Sequence, residues 1–424
     1  MNTQVNLLPP TEHFSSIIEL KENIQKYEET YKMNGDFDSI KLLPNTFEAI
    51  INKNGEKILF PNNKKLPYIY RGQNCDFSPT PSLYRNFQSS TSIFVERMKQ
   101  VEFEIMLKEH PIVKEFFIKN KFHVDYIGLA QHYGLKTNVL DFTDNIDIAI
   151  FFAMCLFDKK TNSYSFSKHT GTNRAILYIK VINGFKEYVS GQKINVIGLQ
   201  PFVRPGLQRG YSVSLMKNEE LKAVKYSFDY TSKDSEYYYN KFEQGKKIWV
   251  DDILSLKVKE FENKKTYSSD VFDLTYSRYA NNDCSKHKFF NKLLKMGIDI
   301  NKNNSIMDFD IVEKNKIITD WNNYQAKIIC DSIHKRFWLE KSNEMTNRYD
   351  IRHEFRTLEC IHMEHLLRIV KAGIPIDNNN SFESKVKNEN PNINDMNSKW
   401  IKVPAHCVEV NSHKYLNYED WLIK

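Results

Sequence analysis

The sequence predicts an α+β protein, a mixed sheet with flanking helices followed by a mainly helical C-terminal region. Three observations predict it. Short runs rich in β-branched and aromatic residues, such as "PYIYRGQ" and "RAILYIKV", have the length of single strands. Longer stretches between them carry apolar residues at helical spacing. Past residue 260 the composition shifts towards Lys, Asn and Asp and the pattern turns helical. A chain of 424 residues is long for one domain, and these shifts divide it into an N-terminal covering segment (1–60), a core (61–260) and a C-terminal accessory region (261–424).

In chain order, "HFSSIIELKENIQKYEETYKM" predicts an amphipathic helix capped by Thr11 or Ser15. "PYIYRGQ" predicts a buried strand ending near Arg71-Gly72. Residues 92–120 predict helix, interrupted at His110-Pro111 because proline disfavours helix in the residue before it. Helix is also expected over 126–133, up to Gly134, and again over 145–157, "NIDIAIFFAMCLF". "RAILYIKV" (174–181) predicts a strand, 194–216 predicts two strands joined by a Pro/Gly-bent loop, and "KKIWVDDILSLKVKEF" a strand followed by a helix. An internal repeat then appears, "KLLKMGIDINKNNS" (292–305) against "RIVKAGIPIDNNNS" (368–381). Each copy predicts a helix end, a glycine in the left-handed cap conformation and an Ile-x-Ile clamp. Two copies are too few for a solenoid, so this region is expected to scaffold or bind.

Composition excludes several classes. With 13% aromatic and 27% charged residues the chain is globular, and a net charge of +7 spread along it permits an anionic ligand or nucleic acid. Six dispersed cysteines form no CxxC pair, which argues against a disulfide framework or zinc knuckle and for a reducing compartment. No stretch reaches the ~18 apolar residues of a membrane span, so a soluble, cytoplasmic protein without membrane partners is expected. "HEFRTLECIHMEHLL" brings Glu359, His362 and His365 together but lacks HExxH spacing, and surface or core histidines are the expected reading. No metal site is expected, and no Walker loop, GxGxxG or GxSxG occurs.

The polar side chains threaded through the apolar stretch 126–154 carry the functional reading. Gln131, His132, Thr137, Asp141 and Thr143 would converge between two helices, and each costs roughly 1–3 kcal/mol if buried without a partner. Two accounts stand: Asp141, Thr143 and Asp144 cap the helix at Asn145 while His132 bonds a carbonyl, or the cluster faces a ligand. Arg71 at a strand tip suits a diphosphate or carboxylate through its planar fork, with Gly72 admitting a ligand to the backbone. A structural ion pair accounts for Arg71 equally well. "RPGLQRGY", with Arg204, Gln208 and Gly210, reads as a second polar loop or a simple turn.

"YRGQ", "TPSLYR", a helix bearing Glu104, "LAQHYGLKTNVLDFT", "AIFFA" and "RPGLQRG" together resemble the FRG domain, a bacterial module, over 66–230. Tyr70 stands for the name-giving aromatic, Lys136 for a usual proline and Phe142 for a common tryptophan. The order of elements further resembles the arginine-type ADP-ribosyltransferases. That resemblance implies an ADP-ribosyltransferase-like core using NAD. Arg71, Asp141, Thr143 and Gln208 would be catalytic, while Arg71, Gly72, Gln73, Gln131, His132, Thr137 and Arg204 would bind the cofactor. The late glutamate of such enzymes is replaced by Gln208, and a neutral amide stabilises a developing positive charge less well than a carboxylate. Asp141 or Glu219 would then supply the charge. Glu104 is expected to pair with Arg71 or Arg85. "SSTS" (89–92) with "EFE" (102–104) spells a transferase motif at intervals too short for separate strands, so a helix is expected there.

Three functions follow: an NAD-using effector modifying a protein or nucleic-acid target in toxin action or phage defence, a non-enzymatic module sensing a nucleotide or nucleic acid, and a metal-dependent nuclease, for which the acidic residues form no recognisable motif.

Overall fold

Strand-forming runs at seven positions build the main sheet: β1 (His13–Phe14), β2 (Tyr68–Gln73), β3 (Val139–Thr143), β4 (Asn173–Val181), β5 (Ile194–Val196), β6 (Gly210–Ser214) and β7 (Val224–Tyr230). The computed structural model describes residues 12–33, 47–52, 56–61, 68–87, 89–118, 123–182, 192–197, 202–280, 285–321, 339–340 and 355–357. The strands lie in the order β1-β7-β4-β2-β3-β6-β5. β1 runs parallel to β7 and every other pairing is antiparallel, so the sheet is mixed and the fold class α+β. The helices of this unit are α1 (Ile17–Met33), α2 (Ser90–Lys108), α3 (Tyr126–His132), α4 (Ile146–Met154), α5 (Val203–Leu207), α6 (Ser232–Lys241), α7 (Ile253–Glu262), α8 (Ser269–Tyr279) and α9 (Lys286–Lys295).

Period-two alternation assigns the two faces of the central strands. Tyr68 and Tyr70 of β2, Ala175, Leu177 and Ile179 of β4, and Tyr226, Phe228 and Tyr230 of β7 join one core with α1, α4 and α6. Arg71, Gln73 and Tyr178 therefore project from the opposite face. Each large apolar side chain removed from water contributes about 1.5–3 kcal/mol, which anchors the strands bearing those polar residues. α4 is apolar apart from Asp147, which pairs with Lys21 and Lys241, and it lies so close to β2 that a Cβ at Gly72 would sit 1.9 Å from the Ala149 carbonyl oxygen. Gly72 thus admits a helix, where a ligand had been the expected visitor.

A second core joins α2 to α8 and α9 through Phe94, Met98, Val101, Phe272 and Leu293. "SSTS" opens α2, with the Ser89 hydroxyl accepting from the Ser92 amide at 3.1 Å. Gly297 takes φ +75°, and the Ile298 amide reaches back to the Leu293 carbonyl at 3.1 Å, the left-handed cap expected for the first repeat copy. The second copy lies outside the described residues. Three local expectations shift. The first helix is capped by Ser16, whose hydroxyl accepts from the Glu19 amide at 3.2 Å. α4 ends at Met154, where Cys155–Asp158 turns into a strand paired with Ser163–Phe166. Residues 246–250 form turn and coil ahead of α7, which begins behind an Asp252 capping box.

A second compact unit comprises 44–60, 108–124 and 309–424. Among its described residues, Phe47–Asn52 pairs antiparallel with Phe355–Thr357 and parallel with Leu339–Glu340, and α10 (Ile311–Asp320) starts at an Asp310–Glu313 capping box. His110, buried edge-on to Phe309 at 5.3 Å, has its pKa pushed down to about 3 by burial. The folded chain keeps this ring neutral while the unfolded chain protonates near pH 6.5. Its contribution is therefore intact above about 6.5 and is lost as pH falls towards about 3. Urea unfolding at pH 7 and pH 5 is expected to differ by about 2 kcal/mol from this group. His110→Gln should flatten that difference.

Candidate functional site

β2 and β3 share a single register pair, Tyr70↔Thr143. Beyond it, β2 stays on β4 through Gln73↔Ile176, whereas β3 stays on β6 through Asp141↔Ser212 to Val139↔Ser214. The sheet forks there. Arg71, the first residue past the junction, bridges the gap with its side chain: Nη1 donates to the Asp141 carbonyl at 3.0 Å, and Nε donates to Gln73 Oε1 at 3.3 Å. A guanidinium thus replaces the backbone ladder, satisfying a carbonyl the separated strand would leave bare.

The β3 side of the fork is a chain of side-chain hydrogen bonds ending on Asp141. Gln131 of α3 donates from Nε2 to Asp141 Oδ2 at 3.2 Å. Its Oε1 accepts from the hydroxyls of Thr137 at 2.7 Å and Ser82 at 3.2 Å, and Ser82 Oγ also accepts from the Thr137 amide at 3.0 Å. Each member fixes the next, so the Asp141 carboxylate is aimed by residues distributed over 82–137. Asp141 keeps 34% of its side-chain surface exposed while His132, beside it, keeps 2%. His132 Nε2 stands 3.3 Å from Asp141 Oδ1. Burial lowers the His132 pKa, the Asp141 charge opposes that shift and the Arg204 charge adds to it. The ring lies against Gly210, where a Cβ would come within 2.8 Å of Cε1 and Nε2.

Arg85, on the 3-10 segment Ser82–Phe87, adds a second cation. Burial lowers the pKa of both guanidinia and Asp141 opposes this in each, while Arg85 lowers Arg71 further. Two cations thus lie within electrostatic reach of one carboxylate, and a local excess of positive charge suits an anion.

The expected site residues sort unequally. Arg71, Gln73, Gln131, His132 and Asp141 meet at the fork, with Gln73 and Gln131 holding Arg71 and Asp141. Thr137 is fully buried and spends its hydroxyl on Gln131, so it positions and does not face a ligand. Thr143 is buried at the junction, its Oγ1 accepting from the Asn145 amide at 3.1 Å. The cap of α4 is Asn145 itself, whose Oδ1 accepts from the Asp147 amide at 2.9 Å. Gln208, 6% exposed, is buried and donates from Nε2 to the Ile248 carbonyl at 2.9 Å. Arg204 is buried between Tyr133 and Trp249, at 4.9 and 4.3 Å from their ring centroids, and donates to the Val250 carbonyl. It is a structural cation. Glu104 pairs with both Nη atoms of Arg278 at 2.6 and 3.1 Å, and with neither Arg71 nor Arg85.

Arg85, Ser82 and Tyr178 escaped the sequence reading as site residues, although "TPSLYR" was already part of the resemblance. Among the described residues no group of three or more His, Cys, Asp or Glu is arranged to hold a metal ion, and no helix is long and apolar enough to cross a membrane. Glu359, His362 and His365 lie outside the described residues.

Residues 66–162 match the model of the FRG domain family. The match spans β2, the 3-10 segment, α2 to α4 and the fork they build, and stops before β4. No curated protein and no solved structure matches the chain.

Proposed function

We propose that the fork binds a nucleotide diphosphate, NAD in the first instance, and that the FRG core acts on it as an ADP-ribosyltransferase-like effector, in toxin action or phage defence, directed at a macromolecular target. The single observation that carries the reading is the guanidinium of Arg71 standing in the break between β2 and β3, beside a partly exposed carboxylate and a second arginine. Arg71 spends Nη1 and Nε on Asp141 and Gln73, which leaves Nη2 for a phosphate oxygen, and Arg85 is near enough to add its charge. NAD supplies an N-glycosidic bond whose cleavage builds positive charge on the ribose. Asp141 is the carboxylate held at the fork to oppose that charge, in the role for which Gln208 is unsuited by chemistry and by position. Gln131 holds Asp141 through Oδ2, with His132 beside Oδ1.

A non-enzymatic reading has its own support. Both Asp141 oxygens already face protein groups, Oδ2 taking Gln131 and Oδ1 lying beside His132, an arrangement that suits recognition without turnover. Incubation with NAD, following nicotinamide release and binding in parallel, separates the two. Release that is lost in both Arg71→Ala and Asp141→Ala is the transferase outcome. Binding that needs Arg71 but yields no nicotinamide is the sensor outcome, and no binding at all contradicts both.

A further inference from the structure

Residues 74–80 leave β2 without regular structure, yet they are pinned at several points. The Phe77 carbonyl accepts from Gln73 Nε2 at 2.9 Å and from the Tyr178 hydroxyl at 3.3 Å. Asp76 pairs with Lys225 of β7 at 2.7 Å. At the far end Arg85 Nε donates to the Thr80 carbonyl at 2.8 Å. The loop is therefore tied to Arg71 through Gln73 at one end and to Arg85 directly at the other.

The side chain this loop carries at its middle is Phe77, 60% exposed. Single exposed apolar residues are ordinary on protein surfaces. Phe77 differs because two side chains grip its carbonyl, one of which also holds the fork arginine, so the exposed ring is carried by backbone tied to that arginine. A planar, sequence-tolerant partner for an exposed ring is a nucleobase.

We propose that Phe77 is a stacking platform for the base of the nucleotide whose diphosphate lies between Arg71 and Arg85. The proposal rests on the diphosphate reading of the fork and names the part of the ligand that the loop takes. It assigns recognition to a π-face, so adenine and other purines should be accepted alike, and a ligand without a base should ignore the ring.

Calorimetric titration of wild type, Phe77→Ala, Phe77→Trp and Arg71→Lys with ADP and with inorganic pyrophosphate tests this. The expected result is that Phe77→Ala weakens ADP by roughly tenfold or more, leaves pyrophosphate unchanged, and that Phe77→Trp retains ADP affinity. Equal losses for the two ligands in Phe77→Ala, or no loss for either, overturn the platform. The diphosphate site survives that outcome if Arg71→Lys still weakens pyrophosphate. Wild type that binds neither ligand overturns both.

Discussion

Gly72→Ala is expected to lower the unfolding free energy by ~3 kcal/mol or more, beyond ordinary overpacking. The added Cβ would sit 1.9 Å from the Ala149 carbonyl oxygen and 2.8 Å from the Ala153 amide nitrogen. Both are backbone atoms of α4, which cannot rotate aside as a side chain can. Relief would require lifting the helix off β2, and its Ala149, Ile150, Phe151 and Ala153 are essentially free of solvent contact, so the movement would open the first core. Urea unfolding checks it, with Gly171→Ala as control, where the nearest atom is the movable ring of His169 at 3.0 Å. A Gly72→Ala protein within about 0.5 kcal/mol of wild type, the range of neutral surface changes, would show that the contact between α4 and β2 is looser than described.

Arg71→Ala is expected to weaken NAD binding by about a hundredfold, the ~2.7 kcal/mol of a charge-assisted contact. The change also strips partners from the Asp141 carbonyl and Gln73 Oε1, costing roughly 1–3 kcal/mol of stability. Arg71→Lys separates the two effects. It keeps the charge but loses the planar fork, so affinity should fall while the salt dependence of binding persists. Titration at two ionic strengths, on variants first shown to be folded, reads both. Unchanged affinity in Arg71→Lys would reduce Arg71 to a bridge across the sheet.

Much of the fold was legible because local patterns carry it. The strand "YIYRG", the largely apolar α4 and the glycine cap at Gly297 follow from residue type and spacing alone. The candidate site was legible only in part. Arg71 reaches the backbone carbonyl of Asp141, yet the fork between them depends on where two strands stop pairing, and no local pattern encodes that register. Which way a polar side chain turns is likewise decided by partners distant in sequence. Gln208 is taken by the Ile248 carbonyl, Arg204 by Tyr133, Trp249 and Val250, and Glu104 by Arg278, 174 residues away. Gly72 was misread for the same reason, since strand alternation alone does not say whether helix or ligand covers a face. Arg85 was missed because its relevance comes from sharing Asp141 with Arg71.

The most direct measurement is a crystal structure of the protein with ADP-ribose. The diphosphate is expected in the gap between β2 and β3, with phosphate oxygens within hydrogen-bonding distance of the guanidinia of Arg71 and Arg85. Ligand density elsewhere on the chain, with Arg71 still spanning an empty gap, would contradict it.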